Sequence, residues 1–199
     1  MERPQFNSSV CPAFWELQAP SMDSFSLGQL PGIYYELALH DLTQYPLCPT
    51  KPACVSSNKT LRRHGDGVEY VNDAWNLECV GAMYPQTLLF NVTAHPGFFE
   101  AYVPATKVPG IGSTTFPDTI VDFKAGNEGW VLEFQCKSED DAVTFVGINF
   151  YARQQHSETA FDQMLAAGKA RGIDFFWNRG LGLSRVNQSA CPPEPGERS

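Results

Sequence analysis

The chain is poor in charge and contains no long apolar run. Charged side chains make up 18% of its 199 residues, against about a quarter in an ordinary soluble domain. Its 14 basic residues form no stripe and the net charge is −8, so nucleic acid, which is held by clustered Lys and Arg, is not an expected partner. No segment reaches the ~20 consecutive apolar residues of a membrane-spanning helix. The cysteines lack metal-binding spacing: five residues separate Cys48 from Cys54, and no His stands at finger distance, so no metal is expected. The opening Met1-Glu-Arg-Pro-Gln5 has neither the apolar core of a secretory leader nor a basic amphipathic helix. The expectation is therefore that the protein stays where it is made or that a removed leader preceded this chain.

What the chain does have is rings and cysteines. Aromatics reach 13%, with 14 Phe, 7 Tyr and 4 Trp, which fits either a β-rich core or a domain lined by rings. Six cysteines (Cys11, Cys48, Cys54, Cys79, Cys136 and Cys191) form an even set without metal spacing. They read as structural disulfides and imply an oxidising compartment. Sequons begin at Asn7, Asn58, Asn91 and Asn187, which would be glycan acceptors in a secretory protein.

The element around which the chain is organised is Leu30-Pro-Gly-Ile-Tyr-Tyr-Glu-Leu-Ala-Leu-His40. A Pro-Gly turn leads into an alternating strand, with Gly32 where the backbone bends or another segment approaches closely. Strict alternation places Tyr34, Glu36, Ala38 and His40 on one face and Tyr35, Leu37 and Leu39 on the other. Before it, residues 1–28 are broken by Pro4, Pro12 and Pro20 and read as an arm packed across a barrel end, tied by Cys11 and anchored by Phe14 and Trp15.

After it come short strand-like runs at near-regular spacing: Cys54–Arg63, one or two within Val68–Met83, Leu88–Ala94, Phe98–Val103, Thr119–Phe123, Trp130–Lys137 and Val143–Tyr151. Gly65-Asp-Gly67, His95-Pro-Gly97 and Gly126-Asn-Glu-Gly129 supply turns, and the Pro- and Gly-rich residues 104–117 read as a loop at the mouth. One helix follows, capped by Ser157 and stopped by Gly172, with Phe161, Met164, Leu165 and Gly168 on one stripe. The pattern predicts a mainly β protein, an antiparallel barrel with one C-terminal helix packed outside. The domain spans residues 29–195, and 196–199 form a tail.

Three stretches carry a family resemblance. Pro31-Gly-Ile-Tyr-Tyr35, Phe145-Val-Gly-Ile-Asn-Phe-Tyr-Ala-Arg153 leading into the helix, and Ala167-Gly-Lys-Ala-Arg-Gly-Ile-Asp-Phe175 with the closing Asn187-Gln-Ser-Ala-Cys-Pro-Pro-Glu-Pro195 together resemble the lipocalin domain of the violaxanthin de-epoxidase family. The resemblance implies an eight-stranded lipocalin barrel that takes a xanthophyll in the thylakoid lumen. There the family reduces an epoxide with ascorbate, using a carboxylic acid to protonate the ring oxygen. The family's acid stands near ten positions after the second motif tyrosine, where this chain has Tyr45. Asp41 is the nearest carboxylate, with His40 and Tyr45 as its candidate partners.

Because of that departure the resemblance implies a xanthophyll or carotenoid binder, or a companion of a photosystem or antenna complex at the thylakoid membrane, without catalysis. The alternatives are an active ascorbate-dependent xanthophyll-epoxide reductase and a secreted carrier of another small hydrophobic molecule. No covalently held cofactor is expected. Tyr34, Trp75, Phe90, Phe99, Trp130, Phe134, Phe145 and Phe150 are the candidate ligand-lining rings, since a polyene offers only apolar and polarisable surface. The family pattern also implies a Cys54–Cys191 disulfide, and Cys79–Cys136 and Cys11–Cys48 are the pairings expected beside it.

Overall fold

A computed structural model of the protein describes residues 10–41, 53–79, 82–104, 113–140, 142–180, 182–189 and 191. Eight antiparallel strands run up and down in chain order. They are β1 (Gly32–Asp41), β2 (Ala53–Arg63), β3 (Glu69–Cys79), β4 (Ala82–Val92), β5 (Phe98–Val103), β6 (Thr114–Lys124), β7 (Trp130–Glu139) and β8 (Ala142–Ala152). β1 pairs with both β8 and β2, so the sheet closes on itself. A two-residue strand β9 (Ser184–Arg185) adds to β1. The expected barrel is therefore present, and closure removes the exposed edges that an open sheet would leave.

Alternating side chains build two cores. The inner one includes Tyr34, Leu39, Val55, Val71, Trp75, Phe90, Phe99 and Ile120. The outer one lies between the wall of β1 and β6–β8 and the helices. Helix α2 (Glu158–Ala170) has Ser157 at its N-cap, whose Oγ accepts from the Ala160 amide at 3.1 Å. It buries Ala160, Met164 and Gly168 against Trp130, Phe134 and Phe150, while Phe161 and Leu165 stay half-buried at the margin. A Cβ on Gly168 would stand 2.5 Å from the Trp177 ring of α3 (Asp174–Trp177), so only glycine lets the two helices meet.

The arm starts at Cys11, bonded to Cys136 of β7, and passes through α1 (Phe14–Leu17) along the outer wall, where the Ala19 amide donates to Val121 O at 2.7 Å. It then crosses the barrel end, placing Met22 and Leu30 in the inner core. Phe14 anchors it by stacking on Phe98 at 4.8 Å. Trp15 does not, being 69% exposed.

Gly32 does what the sequence suggests. Its φ is +131°, and a Cβ there would fall 1.9 Å from the Arg153 guanidinium. That guanidinium closes the barrel end: it lies 3.9 Å from the Tyr34 ring and donates to Pro31 O at 2.8 Å.

Three expectations are corrected. A bulge between Glu36 and Ala38 adds one residue to β1, so Leu37 and Ala38 both face out, while Leu39 joins Tyr34 in the inner core. β6 begins at Thr114 rather than Thr119 and includes Pro117. Its ladder to β7 starts only at Asp118, so Pro117 lies where pairing is one-sided and a missing N–H is tolerated. Cys136 pairs with Cys11, which rules out both Cys79–Cys136 and Cys11–Cys48. Cys48 and the side chain of Cys79 lie outside the described residues.

The Cys54–Cys191 bond is present, with its Cα atoms 5.0 Å apart and a sequence separation of 137. Peptide mapping without reduction is expected to recover Cys11–Cys136 and Cys54–Cys191. Replacing Cys191 by Ser is expected to cost about 2–5 kcal/mol in urea unfolding.

Candidate functional site

A closed barrel usually fills its lumen with apolar side chains, but this one carries charge across its middle. Lys59 on β2 shares inward parity with Val55 and Leu61, Asp73 on β3 with Val71 and Trp75, and Glu133 on β7 with Val131. Lys59 Nζ lies 2.7 Å from Asp73 Oδ2 and 2.9 Å from Glu133 Oε1, and the three side chains are at most 5% exposed. The ammonium stands over the rings of Phe90 and Tyr151, at 5.1 and 5.0 Å, a geometry that rewards a desolvated cation. Ser57 Oγ donates to Asp73 Oδ1 at 2.7 Å.

Two further polar pairs extend this layer. Gln135 Nε2 donates to Asp118 Oδ2 at 2.7 Å. The Asn149 amide, oriented by its hydrogen-bond network, donates to Glu36 Oε1 at 2.9 Å. Asp41 also faces inward, paired with Gly147 and 6% exposed.

The electrostatics follow from burial. Asp118 and Glu133 stand in the same buried layer as Lys59 and Asp73. Two carboxyls so far from water disfavour each other's charge. Burial drives Asp118 well above the usual carboxylate range, and the Glu133 charge adds to the shift. Burial also raises Glu133, against the pull of Lys59. Lys59 itself moves the other way from most buried amines: burial acts to lower it, but Asp73 and Glu133 outweigh that and hold it protonated. Tyr34 is pushed up to about 12 by burial, opposed by Arg153. Burial thus favours the protonated form of Asp118, beside the carboxylate of Glu133 that pairs with Lys59, and a protonated carboxyl there could donate to an oxygen brought into the lumen.

The predicted residues divide by face. Tyr34, Trp75, Phe90 and Phe99 point into the barrel, and Phe145 is half-buried there with its ring 5.4 Å from Phe116. Tyr34 is engaged at the closed end, its hydroxyl donating to Leu30 O at 2.8 Å.

Trp130, Phe134 and Phe150 point outward into the helix-packing core. Trp130 donates to Gln163 at 2.8 Å, Phe134 packs on Phe176, and Phe150 packs on Phe161 and Trp177. These three hold the helices and do not line the lumen.

Of the expected Asp41, His40 and Tyr45 grouping, the structure describes two residues, and they stand on opposite faces of β1. His40 faces out and bonds Gly182 O at 2.8 Å, opposite in parity to Asp41, and Tyr45 lies outside the described residues. Sequence reasoning missed Lys59, Asp73, Asp118 and Glu133. Their parity with flanking Val, Ile, Trp and Phe is the signal that marks them.

No family model matches the chain, and no relative is found among curated proteins. Solved structures share the fold. The siderocalin Ex-FABP, described as functioning through dual ligand specificities, aligns with a TM-score of 0.55 at 13% identity, over 82% of this chain and 97% of its own. Apocrustacyanin C1 aligns with a TM-score of 0.58 at 14% identity, over 88% of this chain and 91% of its own. Both are lipocalins, and the barrel described here is a lipocalin fold.

Removing the ammonium is expected to be severe. Lys59→Met leaves Asp73 and Glu133 facing each other without a cation and is expected to lower unfolding free energy by about 3–5 kcal/mol.

The pH dependence has a definite sign. Asp118 has a folded pKa above its unfolded value. The stability it contributes is complete below the unfolded value, near 4, and is lost as pH rises through the raised one. The melting temperature is expected to fall as pH rises above about 4, and Asp118→Asn is expected to flatten that slope.

Proposed function

We propose that this protein binds an elongated hydrophobic molecule with a polar end, of the xanthophyll class, inside the barrel. The observation that carries this reading is the two-part lining of the lumen. Rings and aliphatics such as Leu39, Val55, Trp75, Leu77 and Phe116 suit an apolar chain. The Lys59, Asp118, Glu133 and Gln135 layer suits a hydroxyl or ether oxygen at its end. The family resemblance of the first and last barrel strands supports the same class. The two disulfides fit a secreted or lumenal compartment.

A second reading is favoured by one group, Asp118. Epoxide opening calls for a protonated carboxyl, the form that burial favours at Asp118. With ascorbate as substrate and reductant, two electrons and two protons convert the epoxide to an alkene and release its oxygen as water, and Asp118 delivers the first proton to the ring oxygen. In this reading Asp118, not Asp41, serves as the acid.

The test is incubation with violaxanthin, with and without ascorbate, at about pH 5. Binding predicts that pigment co-elutes with the protein in both arms, and failure to co-elute overturns it. A de-epoxidised product that disappears in Asp118→Asn, with co-elution retained, establishes the enzymatic reading. Absence of product from the unsubstituted protein dismisses it.

A further inference from the structure

Most neighbouring strands of the wall are joined by long ladders. β2–β3 runs from Ala53↔Glu78 to Arg63↔Glu69, and β3–β4 from Cys79↔Ala82 to Tyr70↔Asn91. The join between β1 and β2 has only four direct pairs, as does that between β4 and β5, and here another segment completes it. β1 and β2 pair directly only from Gly32↔Lys59 to Tyr35↔Ser56, and beyond that point residues 184–188 stand between them.

On one side, β9 pairs Arg185 with Ala38 and Ser184 with Leu39, and the Val186 amide donates to Leu37 O at 3.1 Å. On the other, Asn187 forms a parallel bridge to Ala53, and its carbonyl accepts from the Cys54 amide at 3.2 Å. The side-chain amide of Gln188 spans the gap, donating to Glu36 O and Val55 O at 2.8 Å each. Val186 joins the inner core, and the Cys54–Cys191 bond ties the end of the segment to β2.

This section of wall is held by fewer backbone bonds than the ladders on either side. Local opening begins where the fewest hydrogen bonds and the least buried surface are lost. Behind the segment lie Glu36, Leu39, Val55 and Ser57, none of them accessible to water. The segment closes the side wall in front of these residues, so lifting it would expose the inner core sideways. The disulfide keeps a released segment beside β2, so return is intramolecular and fast.

We propose that residues 184–188 form a movable stave, and that the lumen opens sideways between β1 and β2 when it lifts. The opening brings an apolar molecule directly to the polar layer, at Glu36 and Ser57. Its purpose rests on the ligand-binding reading, but the motion can be measured without a ligand.

The experiment is amide hydrogen exchange on the full chain with its disulfides intact. The Val186 and Cys54 amides are expected to exchange at least about tenfold faster than those of the β3–β4 ladder. In Ala38→Cys/Arg185→Cys, which cross-links outward-facing partners, they are expected to slow to the ladder's rate. Uptake of N-phenyl-1-naphthylamine, a neutral apolar probe, is expected to slow at least about tenfold with them.

Val186 and Cys54 amides as protected as the ladder in the unmodified protein overturn the proposal, as does unchanged probe uptake in the cross-linked one. Should the cross-linked variant fail to fold, Gln188→Ala serves. It is expected to speed both exchange and uptake about threefold or more, and no change overturns the stave. A probe taken up by no form counts against the ligand reading, and the exchange pattern then decides the stave alone.

Discussion

The interaction on which the rest depends is the buried contact of Lys59 with Asp73 and Glu133. It joins neighbouring strands β2 and β3 and reaches across the lumen to β7. Each partner is intolerable alone in that surrounding, because an unpaired charge far from water costs several kcal/mol. The three must therefore be brought together before any of them can be buried, which couples correct strand order to barrel closure. Hydrophobic packing of the same volume could fill the space but would distinguish alternative registers less sharply, since one slipped residue would turn Lys59 outward and strand two carboxylates.

Around that contact the chain divides its labour by parity. Inward positions of β2, β3, β6 and β7 carry the acid–base layer, and outward positions of β6–β8 carry the rings on which α2 and α3 dock. The aromatic richness of the sequence thus serves two surfaces. Lumen-facing side chains and rings beneath the helices alternate along the same strands, as Glu133 does with Phe134 and Tyr151 with Phe150.

Much of the fold was legible because it is written in local chemistry. Gly32 requires both its backbone conformation and its missing Cβ, and Ser157 caps its helix through a hydroxyl at the right position. What was not legible depends on contacts distant in sequence. The β1 bulge reverses the faces of Ala38 and Leu39 without any local mark. Cys11 finds Cys136 only because the arm runs along the outer wall. Lys59 and Glu133 look like surface residues until 74 positions of chain fold them together. The same holds for Asp118, whose chemistry comes from burial and a neighbour and not from its own segment.

The core beneath α2 and α3 lies on one side of the barrel, on β1 and β6–β8, and Phe14 of α1 reaches round to Phe98 of β5. That side is double-walled, whereas no described residue of β2–β4 joins the outer core. Mechanically the barrel resembles a tube split lengthwise into a stiff half and a compliant half. A lumen that swelled would do so unevenly, with the three strands of the thin half spreading while the backed half kept its shape. Any change in lumen volume would therefore show first on the outer surface of β2–β4.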